Sequence, residues 1–219
     1  EVGAKWSSAD GKFNAYISGF YIDWTAIQLL TTVVLNVNGT TIRRSLIDNA
    51  GAASSRGFDL ALRYRPVRGL NLAVDTGYTN ARLDETAPSL GGGKGERIPY
   101  VPRWTASGSV GYDFALGGSV TGRVGATGRY VDARPNYFLA DPAGNVSAFM
   151  PAYFILDLRA GATFGPWDVG VRLTNVTNRR AILSSSTLAF QDVPPFGVAA
   201  NAAVVAQPRT YGLTVSRKF

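Results

Sequence analysis

The chain has 219 residues and a formal net charge of +7, and its mean hydropathy is only +0.02 although 46% of its residues are hydrophobic. It contains no Cys and no His, which excludes disulfides and thiolate metal sites and argues against a hydrolase triad or a zinc enzyme. No apolar run reaches the roughly 18 residues of a membrane-spanning helix, and the basic residues are scattered rather than clustered, which argues against nucleic acid as a partner.

The first part of the chain predicts two strands. The chain begins at Glu1 without Met or a signal peptide, so either the mature form begins here or the N-terminal part is missing; we favour a fragment because the opening residues already have the pattern of a strand. Val2, Ala4 and Trp6 alternate with polar or small residues, as in a strand. The stretch Phe13–Gln28 is also strand-like, but both of its faces carry apolar residues and its orientation stays open.

Alternation with a period of two residues recurs along the rest of the chain and predicts further strands with one apolar and one polar face. These seven strands lie around Phe58–Arg65, Leu70–Thr79, Trp104–Phe114, Val120–Tyr130, Phe154–Phe164, Trp167–Thr174 and Thr210–Phe219. With the first two, they make nine antiparallel strands, and no linker divides the chain.

Short and long connections alternate along the chain. Short turns are predicted at Ser8–Gly11, Pro66–Gly69, Ala115–Gly118 and Gly165–Pro166. Long connections rich in Gly, Asn and Pro are predicted at Leu29–Asn49, Glu85–Pro99, Ala133–Pro151 and Arg179–Gln207. This asymmetry is typical of outer-membrane barrels, which have tight periplasmic turns and large extracellular loops.

The positions of the aromatic residues favour a membrane barrel over a soluble β-sandwich. Aromatic rings lie near the two ends of the strands, including Trp24 near a long connection, while small or aliphatic residues fill the middle. Rings favour the membrane–water interface, whereas a sandwich concentrates its large residues centrally. We predict interface aromatics at Trp6, Tyr64, Trp104, Tyr112, Tyr130 and Trp167.

The last strand ends on an aromatic residue. Tyr211, Leu213 and Val215 lead to Phe219 with the same alternation, which resembles the C-terminal assembly signal of outer-membrane proteins.

Several stretches, in this order, resemble the TonB-dependent receptor family. Asp10–Leu29 is similar to its aromatic-rich paired strands, and Asn49–Pro66 resembles an Asn-Ala-Gly…Arg-Gly strand in which Asp59 stands where Glu is usual. Further similar stretches are Gly95–Phe114, with its Ile-Pro-x-Val-Pro pattern, Thr174–Ala181, and the closing strand Pro208–Phe219, where Arg217 replaces a more usual aromatic or apolar residue.

The resemblance implies a function and a set of partners. It implies an all-β, antiparallel, up-and-down transmembrane barrel of about 22 strands, as in the plugged outer-membrane transporters, of which this chain would be an open nine-strand portion at the C-terminal end. It further implies uptake of a scarce solute (siderophore-bound iron, cobalamin or a carbohydrate) across the cell outer membrane, without a cofactor and without enzyme activity. The implied partners are TonB, acting through an N-terminal plug absent from this sequence, the barrel-assembly machinery, outer-membrane lipid and lipopolysaccharide, and an extracellular small-molecule ligand.

Charged residues on the polar faces are candidates for a ligand path. They are Asp75, Arg123, Arg129, Asp157, Arg159 and Arg172, in a series that also includes Asp59 and Arg63. They could hold a plug and guide an anionic or metal-chelate ligand; the competing interpretation is ordinary solvation of a water-filled lumen with cross-strand pairing. For binding we favour Arg129, Asp157 and Arg159, predicted in the upper lumen, and no close carboxylate pair suggests acid–base catalysis.

Three other functions stay open. A passive porin or smaller closed barrel shares the strand pattern, and a soluble β-sandwich binding module shares the alternation. A barrel enzyme such as an outer-membrane lipase or protease fits poorly because the chain has no His.

Overall fold

The computed structural model describes residues 1–37, 40–49, 51–139, 149–189 and 199–219. These residues form fifteen strands and one short 3-10 helix, Pro88–Leu90. The strands are β1 Val2–Ser7, β2 Phe13–Trp24, β3 Gln28–Val37, β4 Thr40–Asn49, β5 Ala53–Tyr64, β6 Leu70–Leu83, β7 Trp104–Gly117, β8 Val120–Val131, β9 Arg134–Pro135, β10 Phe149–Met150, β11 Tyr153–Phe164, β12 Trp167–Thr174, β13 Ile182–Ala189, β14 Ala199–Val205 and β15 Thr210–Arg217.

Nine of the strands form a single antiparallel sheet in the order β1-β2-β5-β6-β7-β8-β11-β12-β15. Each strand pairs with its neighbour along this series, and within the described residues β1 and β15 each have one free edge. The prediction of nine antiparallel strands in an open arrangement is therefore confirmed.

The apolar face of this sheet is not packed against a second sheet within the described part of the chain. The other strands form three separate two-stranded pairs. Large apolar side chains on the face stay open, with Leu213 70%, Val171 52% and Val74 44% exposed. A soluble sandwich buries such side chains between its sheets, so this architecture does not fit.

The cross-strand register explains why one face of the sheet is apolar and the other polar. Between β12 and β15, Val171 lies opposite Leu213 and Val169 opposite Val215, while Gly170 lies opposite Thr214 on the other face. Directly opposed residues of antiparallel strands point to the same side, so alternation in the sequence becomes an apolar face and a polar face.

The pairing of β2 with β5 settles the orientation of β2. Phe13 lies opposite Tyr64 and Ile17 opposite Leu60, so the odd-numbered residues of β2 share the apolar face. Trp24 lies opposite Ala53 and therefore belongs to the polar face. The sequence left the orientation of β2 open because apolar residues on both faces conceal its phase, and the register separates Trp24 from the rings of the apolar face.

Three of the four long connections contain strands. β3 pairs with β4 from Gln28↔Asn49 to Val37↔Thr40, β13 pairs with β14, and β9 pairs with β10. These additional strands were not predicted from the sequence. A hairpin satisfies its own backbone hydrogen bonds and can extend beyond the main sheet, and the Thr- and Val-rich β3 suits it.

A small buried cluster lies where long connections meet the sheet. Ala53 of β5 and Leu83 of β6 are 0% and 1% exposed, and they pack with Leu90, Ile98 and Phe138 from the connections. Ala53 and Leu83 are directly paired on the polar face. The β6–β7 connection thus folds over the long-connection end of that face.

Candidate functional site

The polar face of the nine-stranded sheet is the candidate site, because the charged candidates predicted from the sequence all lie on it. Asp75 lies on β6, Arg123 and Arg129 on β8, Asp157 and Arg159 on β11, and Arg172 on β12. Among the described residues of this face, ion pairs join three pairs of strands.

The first ion pair joins β5 and β6. Arg63 Nη2 donates to Asp75 Oδ1 at 2.7 Å, and both side chains are about half exposed, at 49% and 47%. Ion pairs open to water contribute on the order of 0.5 kcal/mol, so this pair orients the two side chains more than it stabilises the sheet.

The second ion pair joins β8 and β12 across the intervening strand β11. The Arg123 guanidinium donates to both carboxylate oxygens of Asp168, and Thr163 Oγ1 donates to Asp168 Oδ2 at 2.7 Å. Arg123 passes over Gly161, where a Cβ would lie 2.9 Å from Arg123 Nε. A glycine on β11 therefore leaves the room that a two-strand reach requires.

The third ion pair joins β8 and β11 near the long-connection end. Arg129 Nη2 donates to Asp157 Oδ2 at 2.8 Å, and the Asn175 backbone N–H donates to Asp157 Oδ1 at 2.8 Å. Both residues line a cavity of about 420 Å³ together with Arg172, Thr174 and Gln207. This cavity, called the upper cavity below, is lined by two guanidinium groups, one carboxylate and several amide and hydroxyl groups.

Arg159 and Arg172 lie directly opposite each other on β11 and β12. Within the described part of the chain, neither guanidinium has an ion pair or a hydrogen bond. They diverge: Arg172 lines the upper cavity, whereas Arg159 lines a second cavity of about 500 Å³. The structure thus brings Arg129, Asp157 and Arg172 together, and it separates Arg159 from them.

Asn175 closes the base of the last long connection. It is 3% exposed and has a positive φ of 49°. Its Nδ2 donates to the carbonyls of Arg179 and Gln207, and its Oδ1 accepts from the Arg179 N–H. The amide is fully hydrogen-bonded, so it ties β12 to the segment leading into β15.

Rings on the apolar face form clusters near both ends of the strands. Trp6, Phe13 and Tyr64 are in contact beside short turns, with ring centroids 5.4 and 5.9 Å apart. Tyr78 and Trp104 are 4.9 Å apart near the long connections, where Phe58 also contacts both. Tyr112, Tyr130 and Trp167 share this face through the pairs Tyr112↔Val124, Ala106↔Tyr130 and Phe164↔Trp167.

The terminal strand presents Tyr211, Leu213 and Val215 on the apolar face, all exposed. Arg217 lies directly opposite Trp167, so it shares that face, and its guanidinium lies 5.4 Å from the ring centroids of Trp167 and Phe219. Cation–π contacts with two rings explain how a charged residue fits a position that usually holds an aromatic or apolar side chain.

Three long connections are hydrogen-bonded to one another. The Tyr100 hydroxyl donates to the Ser185 carbonyl, Arg134 Nη2 donates to the Leu183 carbonyl at 2.7 Å, and the Leu139 N–H donates to Glu96 Oε1 at 2.6 Å. Burial raises the pKa of the Tyr100 hydroxyl above its usual value, and so does the neighbouring Tyr137. Tyr100 therefore stays a neutral donor over the physiological pH range.

A family model for the β-barrel of TonB-dependent receptors matches residues 1–178. The chain belongs to the TonB-dependent receptor β-barrel family. Comparison with curated protein sequences gives no match.

Solved receptors have the same fold. The chain matches the siderophore receptor PiuA of Acinetobacter baumannii with 19% identity and a TM-score of 0.66, over 97% of this chain and 27% of that one. It matches the ferric-catecholate import receptor Fiu of Escherichia coli with 18% identity and a TM-score of 0.68, over 99% and 27%. For BauA, the ferric preacinetobactin receptor of A. baumannii, the values are 21%, 0.64, 99% and 28%.

The chain thus spans a little over a quarter of the length of these receptor structures. Other members of the TonB-dependent receptor family are outer-membrane proteins that act as receptors and transporters. Among the described residues, no helix has the length and apolar character needed to cross a membrane.

Sequence reasoning missed two residues of the candidate site. Asp168 was not a candidate, although the two-residue turn Gly165–Pro166 sets Thr163 opposite Asp168 and so places its carboxylate on the charged face. Asn175 was seen only within a motif. Its signal would have been an Asn at the end of a strand, where a positive φ is tolerated.

Proposed function

We propose that this chain is the C-terminal part of the barrel wall of a TonB-energised outer-membrane receptor that imports a scarce solute. The observation that carries the proposal is the single-layer sheet of a receptor family with an open apolar face and a charged polar face. The charged residues then serve binding and passage of a solute rather than catalysis.

In this proposal the apolar face contacts lipid. A lipid-facing sheet needs an apolar band flanked by aromatic girdles, and the ring clusters around Trp6 and Trp104 lie near opposite ends of the strands. Tyr64, Tyr112, Tyr130 and Trp167 complete the proposed interface. Lipid and lipopolysaccharide are then partners of this face.

The polar face then lines the lumen. The upper cavity, with Arg129, Asp157 and Arg172, lies on the side of the long connections, which are extracellular in this orientation. Two guanidinium groups against one carboxylate favour a solute with a net negative charge. Asp75, Arg123 and Arg159 lie farther from that cavity and are proposed as later contacts on the path.

Siderophore-bound iron is the solute class that we propose first. The similar solved structures include receptors or transporters named for siderophores, ferric catecholate, ferric preacinetobactin and iron. One similar structure is a copper transporter, and cobalamin and carbohydrates stay as alternatives.

The remaining partners follow from the same proposal. TonB acts through a plug domain that this sequence does not contain, and the barrel-assembly machinery binds the terminal strand with Tyr211, Leu213, Val215 and Phe219.

Growth under iron starvation tests the proposed function. A strain that lacks the gene is compared with one carrying the gene at its natural length, each with and without TonB, on defined iron–siderophore sources. We expect the gene to restore growth on at least one siderophore only when TonB is present. Restoration without TonB would instead favour the passive porin, and no effect of the gene on any iron source would remove the siderophore class.

A further inference from the structure

Arg123 and Arg159 of the polar face both lie across a glycine of the neighbouring strand, but only Arg123 contacts a carboxylate among the described residues. Arg123 lies across Gly161 and reaches the carboxylate of Asp168. Arg159 lies in the opposite direction across Gly125, where a Cβ would be 2.8 Å from its Nε, and extends to Gly111, where a Cβ would be 3.3 Å from its Nη2. No carboxylate meets Arg159 within the described residues.

The cavity around Arg159 is rich in cations. Its volume is about 500 Å³, which exceeds the space needed by a few water molecules. Its charged lining residues are Lys12, Arg63, Arg65, Arg123, Arg159 and, as the only acid in this described lining, Asp113. Asp10, Asp75 and Asp168 pair with Lys12, Arg63 and Arg123, and Asp113 lies directly opposite Arg123, so none of these acids forms an ion pair with Arg65 or Arg159 within the described residues.

Small residues make the floor of this cavity. Ala73, Ser109 and Gly111 lie on the polar face of β6 and β7 between Arg63 on one side and Arg159 on the other. A guanidinium presents several N–H donors in one plane, and Arg159 has none of them occupied within the described residues. The geometry leaves room for a planar oxyanion against those donors.

We infer that this cavity is an oxyanion site centred on Arg159, which binds a carboxylate-bearing group. The carboxylate belongs either to a solute in the lumen or to an acidic side chain from another part of the same protein. The inference rests on the proposed function only in that the polar face bounds a water-filled lumen. Arg159 provides the charge-assisted hydrogen bonds, and Arg65 adds to the positive potential.

Citrate binding to the gene product at its natural length, purified in non-ionic detergent at low ionic strength, tests the site. Isothermal titration compares the wild type with Arg159→Gln and with the matched control Arg56→Gln. Arg56 is an exposed cation on the opposite face, since it shares that face with Phe58. We expect Arg159→Gln to bind citrate roughly tenfold more weakly, as loss of one charge-assisted hydrogen bond implies, and Arg56→Gln to match the wild type.

A second variant displaces the guanidinium without removing its charge. Gly111→Val places a side chain against Arg159 Nη2, while Gly108→Val on the apolar face of β7 meets only the Ala73 carbonyl, 3.9 Å from its Cβ. We expect weaker citrate binding for the first variant and unchanged binding for the second.

The same experiments distinguish a carboxylate of a solute from a carboxylate of the protein itself. A solute site shows as citrate binding in the wild type that depends on Arg159. An internal acidic side chain shows as no citrate binding in the wild type together with a lower unfolding midpoint for Arg159→Gln than for Arg56→Gln. Equal citrate affinity and equal unfolding midpoints in the two variants would overturn the inference. Citrate binding is measured without TonB, so it stays interpretable if the iron-growth experiment fails.

Discussion

At the scale of single residues, Asn175 shows how one buried amide organises a connection. Its three side-chain hydrogen bonds join residues separated by up to 32 positions in the sequence, and its N–H reaches Asp157. The same residue therefore fixes the floor of the last long connection and orients the carboxylate of the upper cavity.

We expect Asn175→Leu to lower the free energy of unfolding by about 3 kcal/mol, because the buried Asn175 amide would lose its three hydrogen bonds to the backbone of Arg179 and Gln207. Urea unfolding of the folded gene product in detergent measures the change. Asn71→Leu is the matched control, since Asn71 is exposed and makes one long hydrogen bond of 3.3 Å. Equal effects of the two substitutions would show that the Asn175 bonds do not stabilise the fold.

The turn between β1 and β2 carries a titratable residue outside the sheet. Asp10 Oδ1 accepts from the Ser8 hydroxyl at 2.6 Å and from the Lys12 N–H at 3.1 Å. The Ser8 hydrogen bond first, and the Lys12 N–H second, hold the pKa of Asp10 below its ordinary value of 3.8.

A lowered pKa means that ionised Asp10 stabilises the turn above about pH 4 and that this contribution is lost as pH falls through the lowered value. We expect hydrogen exchange at the Lys12 amide, corrected for intrinsic rates, to be slow near pH 5 and to show a step to faster exchange as the pH falls through the lowered pKa of Asp10. Asp10→Asn should remove that step. A step of the same size in the variant would assign it to another group.

At the scale of elements, the β3–β4 hairpin stands apart from the sheet that it interrupts. Its ten paired positions run from Gln28↔Asn49 to Val37↔Thr40, whereas the main sheet continues directly from β2 to β5. The hydrogen bonds of β2 and β5 thus do not depend on the outer part of the hairpin.

We expect replacement of residues 32–45 by a two-residue Asn-Gly turn to leave the unfolding midpoint in urea nearly unchanged, because the β2–β5 ladder remains complete. The same deletion should weaken uptake if the long connections contact the solute. Loss of the folded protein would show that the hairpin contributes to the stability of the sheet.

The sequence predicted which strands of the main sheet exist, but it did not predict which side chains contact residues on more distant strands. The alternation of apolar and polar residues predicted the nine strands, because successive side chains of a strand point to opposite faces and the two faces have different surroundings, as in β11 and β12. The orientation of β2 could not be predicted, because Ile22 and Trp24 place apolar side chains on its polar face as well. The Arg123–Asp168 contact could not be predicted from pairing alone, since it passes over a whole strand.

At the scale of the whole molecule, the free edges of β1 and β15 determine whether the sheet can be stable in a bilayer. Unpaired backbone groups are not tolerated in hydrocarbon, and within the described residues each of these strands has one free edge. The sheet therefore needs additional strands before it can lie in a bilayer.

We expect residues 1–219 alone, exported with a signal peptide, to be degraded or to aggregate, whereas the gene product at its natural length should fold. Gel mobility of unheated and heated outer-membrane samples distinguishes folded barrels from unfolded chains. A stably inserted, protease-resistant 219-residue species would contradict the requirement for further strands.

The strand count also has a consequence for closure. In a sheet of nine successively antiparallel strands, the first and the last run in the same direction. If β1 and β15 met each other directly, their seam would be parallel. A ring with antiparallel neighbours throughout must therefore insert an odd number of strands between them, so its total is even.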